Sequence, residues 1–188
     1  GKIGALDAVF YILSQMAGGV LGVLAVRLLL PGRLGHPDVN FVATVPGRRG
    51  VGIAWLGELA ISFLMMLAVL VSSNSSEFAP VSGVIAGVLL ALYIAFEAPL
   101  SGMSLNPART LGSAVAARQW RAFWVYLTAP VVGMWLAAAV YSAWPSQPRV
   151  YCAKLAHFND RPCIFHCDFG ELQAKRKAGA STVVSHRP

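Results

Sequence analysis

Charge is what this sequence has least of. Only 12% of its 188 residues are charged, eight of them acidic, while 56% are hydrophobic and the mean hydropathy is +0.62. Soluble domains carry about twice that share of charge, so composition supports a membrane protein. Cysteine is also scarce: three residues, all in the last quarter, an odd number that builds no disulfide framework. The chain opens at Gly1 without a methionine, a basic leader or a cleavage site, so no signal peptide is expected. Nucleophile elbow, phosphate loop and paired intramembrane carboxylates at helical spacing are all missing, which argues against an enzyme and against a cofactor. The net charge of +7 does not call for nucleic acid, because the excess gathers in a tail beside apolar segments. Attraction to lipid headgroups, or positive-inside topology, accounts for it there.

What the chain does have is long apolar runs. Four stretches, residues 8–30, 51–71, 78–99 and 122–144, are each long enough to cross a bilayer as a helix of about 20 residues. The first carries Arg27 as its one charge, and its Gly18, Gly19 and Gly22 suit close helix packing in lipid. Gln15 lies mid-span and is read as making an interhelical hydrogen bond. Residues 31–50, rich in proline, glycine and arginine, read as a surface loop, and the lone His36 receives no role. The second run contains Glu58, an acid whose insertion at the bilayer centre costs about 2.5 kcal/mol or more. Two readings stand for it: a position near the interface, or an acceptor for loop backbone. The third run has Gly83 and Gly87 as a small-xxx-small pair and Glu97 near its end, read as an acid at the interface. The fourth has no charge at all.

Between the third and fourth runs lies Ser101-Gly102-Met103-Ser104-Leu105-Asn106-Pro107-Ala108-Arg109. Asn106 suits an N-cap and Pro107 the first helical position, so a short helix is expected over 107–117. Irregular backbone at membrane depth persists only where it lines a water-filled cavity or is buried in protein. A helix starting there aims its positive dipole end at the cavity. Asn106 reads as a cap that also offers its amide N–H. Arg109, one turn on, reads either as a surface arginine or as a pore-lining donor that opposes cations.

This stretch resembles the second Asn-Pro-Ala signature of the aquaporin and glycerol-facilitator family, with its trailing arginine and the small residues Gly112, Ser113 and Ala114. The resemblance implies an all-α membrane protein, an inverted-repeat bundle represented here by four transmembrane helices and one re-entrant half-helix. It implies a passive channel for water and other small uncharged solutes, a homotetramer in the cell membrane, and a pore motif at Asn106, Pro107 and Ala108. Carbonyls of Gly102, Met103 and Ser104 become solute acceptors, and Glu58 corresponds to the family's buried glutamate that braces the loop. The constriction falls at Arg109, Met103 and Ile94, although ordinary packing remains open for the last two. Water-selective members have a histidine where Ile94 stands, so strict water selectivity is in question. Thr110 and Ala114 depart from the glycerol-conducting pattern, and the Phe123-Trp124 pair is also aquaporin-like. A broader facilitator of glycerol, metalloids or peroxide is one alternative; a non-conducting scaffold with a metal- or redox-sensing tail is another.

An internal match supports the repeat. Sliding the first run against the last by 114 positions pairs Ala8 with Ala122, Leu13 with Leu127, Gly19 with Gly133 and Val26 with Val140. In that register the mate of Asn106 falls ahead of Gly1, so the chain is expected to begin after the first two helices and the first Asn-Pro-Ala loop. Charge gives the topology: Lys2, Arg149, Lys154, Arg161, Lys175, Arg176, Lys177 and Arg187 collect on the side of both ends, which are therefore expected to be cytoplasmic. Residues 1–144 form the transmembrane unit and 145–188 a basic tail. In that tail Cys152, His157, Cys163, His166 and Cys167 offer thiolate and imidazole ligands suited to zinc, but their spacing matches no standard finger, and reduced thiols are the simpler reading.

Overall fold

The computed structural model describes residues 3–30, 32–148, 150, 152, 163, 165, 167, 169 and 170. The described residues form helices and no strand: α1 (Ala5–Leu29), α2 (Val51–Ser73), α3 (Ser82–Phe96), the single turn α4 (Ala98–Ser101), α5 (Pro107–Ala117) and α6 (Phe123–Ala143). Short 3-10 turns at Asn40–Val42 and Ala79–Val81 precede α2 and α3. Four helical segments, Ala5–Leu29, Val51–Ser73, Ala79–Phe96 and Phe123–Ala143, are long and apolar enough to cross a membrane.

Local chemistry sets the helix ends. α2 starts after Gly50, whose φ of 90° no β-carbon favours. It ends at Asn74, whose side-chain N–H donates to the Leu70 carbonyl at 2.8 Å. α5 opens on Pro107 behind the Asn106 cap and closes at Arg118 in the left-handed region. α6 carries Pro130 buried in its interior, which a transmembrane helix tolerates when neighbours cover the freed carbonyl.

Packing pairs α1 with α5 and α2 with α6. Small residues make both contacts. A β-carbon on Gly19 would sit 2.5 Å from the Ala108 carbonyl oxygen, and one on Gly112 would strike the Gly19 carbonyl. Gly133 of α6 lies as tightly on the Leu59 carbonyl of α2. The Trp55 indole N–H donates to Thr128 Oγ1 at 3.1 Å across the same pair. On the outside, α1 buries no residue and shows Leu6, Phe10, Leu13, Leu21 and Leu28 on its surface. In water such a helix would collapse or aggregate; in lipid its side chains meet a solvent as apolar as themselves.

Four expectations change. Residues 43–47 do not run over the surface: Thr44 and Pro46 are buried, and the Gly47 N–H donates to the Leu100 carbonyl at 2.9 Å. The carbonyls that end α4 need donors, and this segment supplies one. Glu97 is 8% exposed rather than interfacial, its carboxylate fitted over Gly57, where a β-carbon would come within 2.5 Å of Oε1. Gly83 and Gly87 meet no atom of the described residues within 4 Å of a built β-carbon, so that pair packs on none of these helices. Gln15 stands exposed on α1 rather than between helices.

Gly19→Leu should therefore separate α1 from α5 and cost about 1–3 kcal/mol, as overpacking does, whereas Gly18→Leu and Gly22→Leu, which point into open space, should be neutral. Denaturant titration of the chain in detergent micelles checks this, and equal effects at the three positions would contradict the packing.

Candidate functional site

The loop between α4 and α5 has no regular hydrogen bonds of its own, so its backbone must find partners elsewhere. α2 supplies them through Glu58, a fully buried carboxylate. Its Oε1 accepts from Ser101 Oγ at 2.8 Å and from the Ser104 N–H at 2.6 Å. Its Oε2 accepts from the Leu105 N–H at 2.9 Å. The Met103 N–H donates to Ser101 Oγ at 3.0 Å, joining the same network.

Consecutive N–H groups converge on one anion only if the backbone bends through unusual dihedrals. Met103 (φ 50°) and Leu105 (φ 59°) take left-handed values, and Gly102 (φ 89°) provides the turn before them. Such values cost a residue with a β-carbon about 1–3 kcal/mol and persist where surrounding contacts over-determine them. Gly102 is required on two counts, since a β-carbon there would also lie 2.9 Å from the Val45 nitrogen. In a trans peptide the C=O points opposite the N–H. The Gly102, Met103 and Ser104 carbonyls therefore all turn away from the Glu58 and Ser101 groups that hold the N–H atoms of the next residues.

Beyond the limb the chain enters α5. Asn106 Oδ1 accepts from the Ala108 N–H at 2.8 Å and the Arg109 N–H at 3.4 Å. With its oxygen committed to the helix end, the planar amide directs its NH₂ the other way, and Asn106 is exposed. Pro107 is partly covered and Ala108 is buried against α1. Arg109 is partly buried, and its Nη1 is enclosed without a hydrogen-bond partner among the described residues. That leaves a guanidinium donor unused by the described residues.

The remaining expected site residues divide. Ile94 is 58% exposed on α3, whereas the Met103 side chain is buried in a cluster with Ile61, Tyr93 and Leu105. Cys152, Cys163 and Cys167 lie together beyond the helices, and His157 and His166 fall outside the described residues.

The structure adds residues that sequence reasoning passed over. Tyr126 of α6, fully buried, donates its hydroxyl to the Ser101 carbonyl. Ser104 Oγ and Thr110 Oγ1 share a short hydrogen bond, and Thr44 Oγ1 donates to Thr110 Oγ1 at 3.1 Å. A signal existed for Tyr126, since a phenol in a charge-free span must find an acceptor. None existed for Thr44, whose approach depends on how the 43–47 segment folds inward.

Long apolar helices around a braced, re-entrant half-helix define a multi-pass α-helical membrane protein of the aquaporin-like fold. The chain belongs to the major intrinsic protein family, whose sequence model matches residues 1–141. It is 34% identical over 133 residues to aquaporin NIP6-1 of Arabidopsis thaliana, covering 70% of this chain and 42% of that protein. It is 35% identical over 147 residues to aquaporin-4 of Mus musculus, covering 74% and 43%. A glycerol uptake facilitator protein-like 6 from Lactiplantibacillus plantarum is 36% identical over 140 residues, covering 73% and 64%. The chain thus spans less than two thirds of the length of each of these relatives.

Glu58→Ala should leave the Ser104 and Leu105 N–H groups buried without acceptors, at about 1–3 kcal/mol each, while Glu58→Gln keeps one acceptor oxygen and loses less. Unfolding titrations in micelles read the difference. An alanine variant as stable as the parent would show that the carboxylate does not hold the loop.

Proposed function

We propose that this chain supplies a re-entrant half of a passive channel for water and other small uncharged solutes. The observation that carries the reading is the shared orientation of the Gly102, Met103 and Ser104 carbonyls, turned to one side because Glu58 and Ser101 hold the N–H groups on the other. A solute crossing the bilayer must exchange each hydrogen bond lost from water for one from the wall, and a row of carbonyls offers acceptors in file. At the end of the row Asn106 offers amide donors, and the N-terminus of α5 places a positive field where a cation or hydrated proton would pass. Pro107 and Ala108 complete the motif by starting the half-helix at that depth.

Arg109 serves as the donor of the constriction, supported by its enclosed Nη1, which has no hydrogen-bond partner among the described residues. Ile94 of α3 and Met103 of the loop are the other residues assigned to the constriction. An isoleucine wall offers no hydrogen bond, so the constriction discriminates between water and larger polyols less sharply than one lined by histidine. Thr110 and Ala114 keep the reading on the water side of the family. The transmembrane unit, residues 1–144, works in the cell membrane as a homotetramer with both ends cytoplasmic, as the basic residues flanking the spans favour. No catalytic step is assigned to it.

The test is osmotic swelling of proteoliposomes carrying the chain, alone or joined to a segment with a second Asn-Pro-Ala half-helix. Water permeability above that of empty liposomes in at least one form is expected. Arg109→Ala should raise glycerol flux relative to water, and Ile94→His should lower it. Permeability at the empty-liposome level in both forms, or flux ratios unmoved by both substitutions, would contradict the reading.

A further inference from the structure

After α6 the chain folds back on the bundle. The buried Tyr141 donates its hydroxyl to the Pro148 carbonyl at 2.8 Å, and the Phe165 ring stands 6.4 Å from that of Tyr11 near the start of α1. Between these anchors three sulfurs gather. The Sγ atoms of Cys152, Cys163 and Cys167 all lie within 4.8 Å of one another, with Cys152 and Cys163 at 3.6 Å. The first is buried and the other two are partly covered. They come from two segments, so sequence proximity alone does not explain the cluster.

We propose that Cys152, Cys163 and Cys167 form a three-thiolate site for a soft d¹⁰ metal ion of the Zn(II) or Cu(I) kind. Spacing is the first argument. An ion bonded to thiolates at about 2.3 Å needs sulfurs about 3.8–4.0 Å apart in tetrahedral or trigonal geometry, and the observed spread requires only small side-chain adjustments. Number is the second: a disulfide uses two sulfurs and leaves the third idle, whereas an ion uses all three. Thiolate is the ligand type that selects Zn(II) and Cu(I) over harder cations. Bound there, the ion would fasten the returning tail to the end of the bundle where α1 begins and α6 finishes, independently of whether the pore conducts.

The untagged full chain, freshly reduced and held in micelles under anaerobic conditions, is dialysed against Zn(II) and separately against Cu(I). Retained metal is then counted per chain. About one ion per chain is expected for at least one of the two. Retention should be lost in the Cys152→Ser/Cys163→Ser/Cys167→Ser variant and reduced in Cys167→Ser, with helical circular dichroism unchanged in both. Leaving His157 and His166 in place isolates the contribution of the thiols. The proposal is overturned if the reduced parent keeps neither ion, or if the triple variant keeps as much as the parent.

Discussion

One buried carboxylate organises this molecule. Glu58 sits on α2, inside a protein whose other membrane-spanning surfaces are almost free of charge, and its observed partners are Ser101, the last residue of α4, and Ser104 and Leu105 of the irregular loop that follows. The two need each other. A bare carboxylate in the bilayer is costly, and so is a row of backbone N–H groups with no secondary structure. Placed together, each removes the penalty of the other. Left-handed φ values at Met103 and Leu105 become tolerable because two hydrogen bonds to Glu58 fix the peptides on either side of Ser104.

That arrangement also converts a structural requirement into a directional one. Holding the N–H groups of three successive peptides turns the carbonyls of those same peptides away from Glu58 and Ser101, an orientation that needs no polar side chains. The neighbouring elements reinforce the same orientation. Tyr126 ties the Ser101 carbonyl to α6, Thr110 ties Ser104 to the half-helix, and Thr44 brings in the segment before α2. α5 is then seated on α1 through Gly19 and Gly112, which fixes its position against that helix.

Much of this was legible in the sequence because its signals are local. Apolar runs gave the spans, and Asn106-Pro107 gave the start of α5, since capping chemistry acts over three residues. The identity of the Asn-Pro-Ala-Arg stretch led to the family. Other features depend on tertiary approach and left no local trace. Glu97 looked interfacial because it lies at the end of an apolar run, but Gly57 on another helix makes room to bury it. Gly83 and Gly87 carry the same spacing as a packing motif, yet close contact fell instead to Gly19, Gly112 and Gly133. The 43–47 segment reads as a surface loop by composition and is drawn inward by carbonyls that only the folded chain presents. For Glu58 the sequence offered two positions, and distance along the helix did not choose between them.

The most direct measurement is amide hydrogen exchange at Ser104 and Leu105 in lipid nanodiscs. If the Glu58 carboxylate holds the loop, both amides are protected to the level of the flanking helices despite lying in none, and Glu58→Ala removes that protection while the amides of α2 keep theirs. Exchange at both sites as fast as in an open loop in the parent chain, or protection that survives the substitution, would contradict the account.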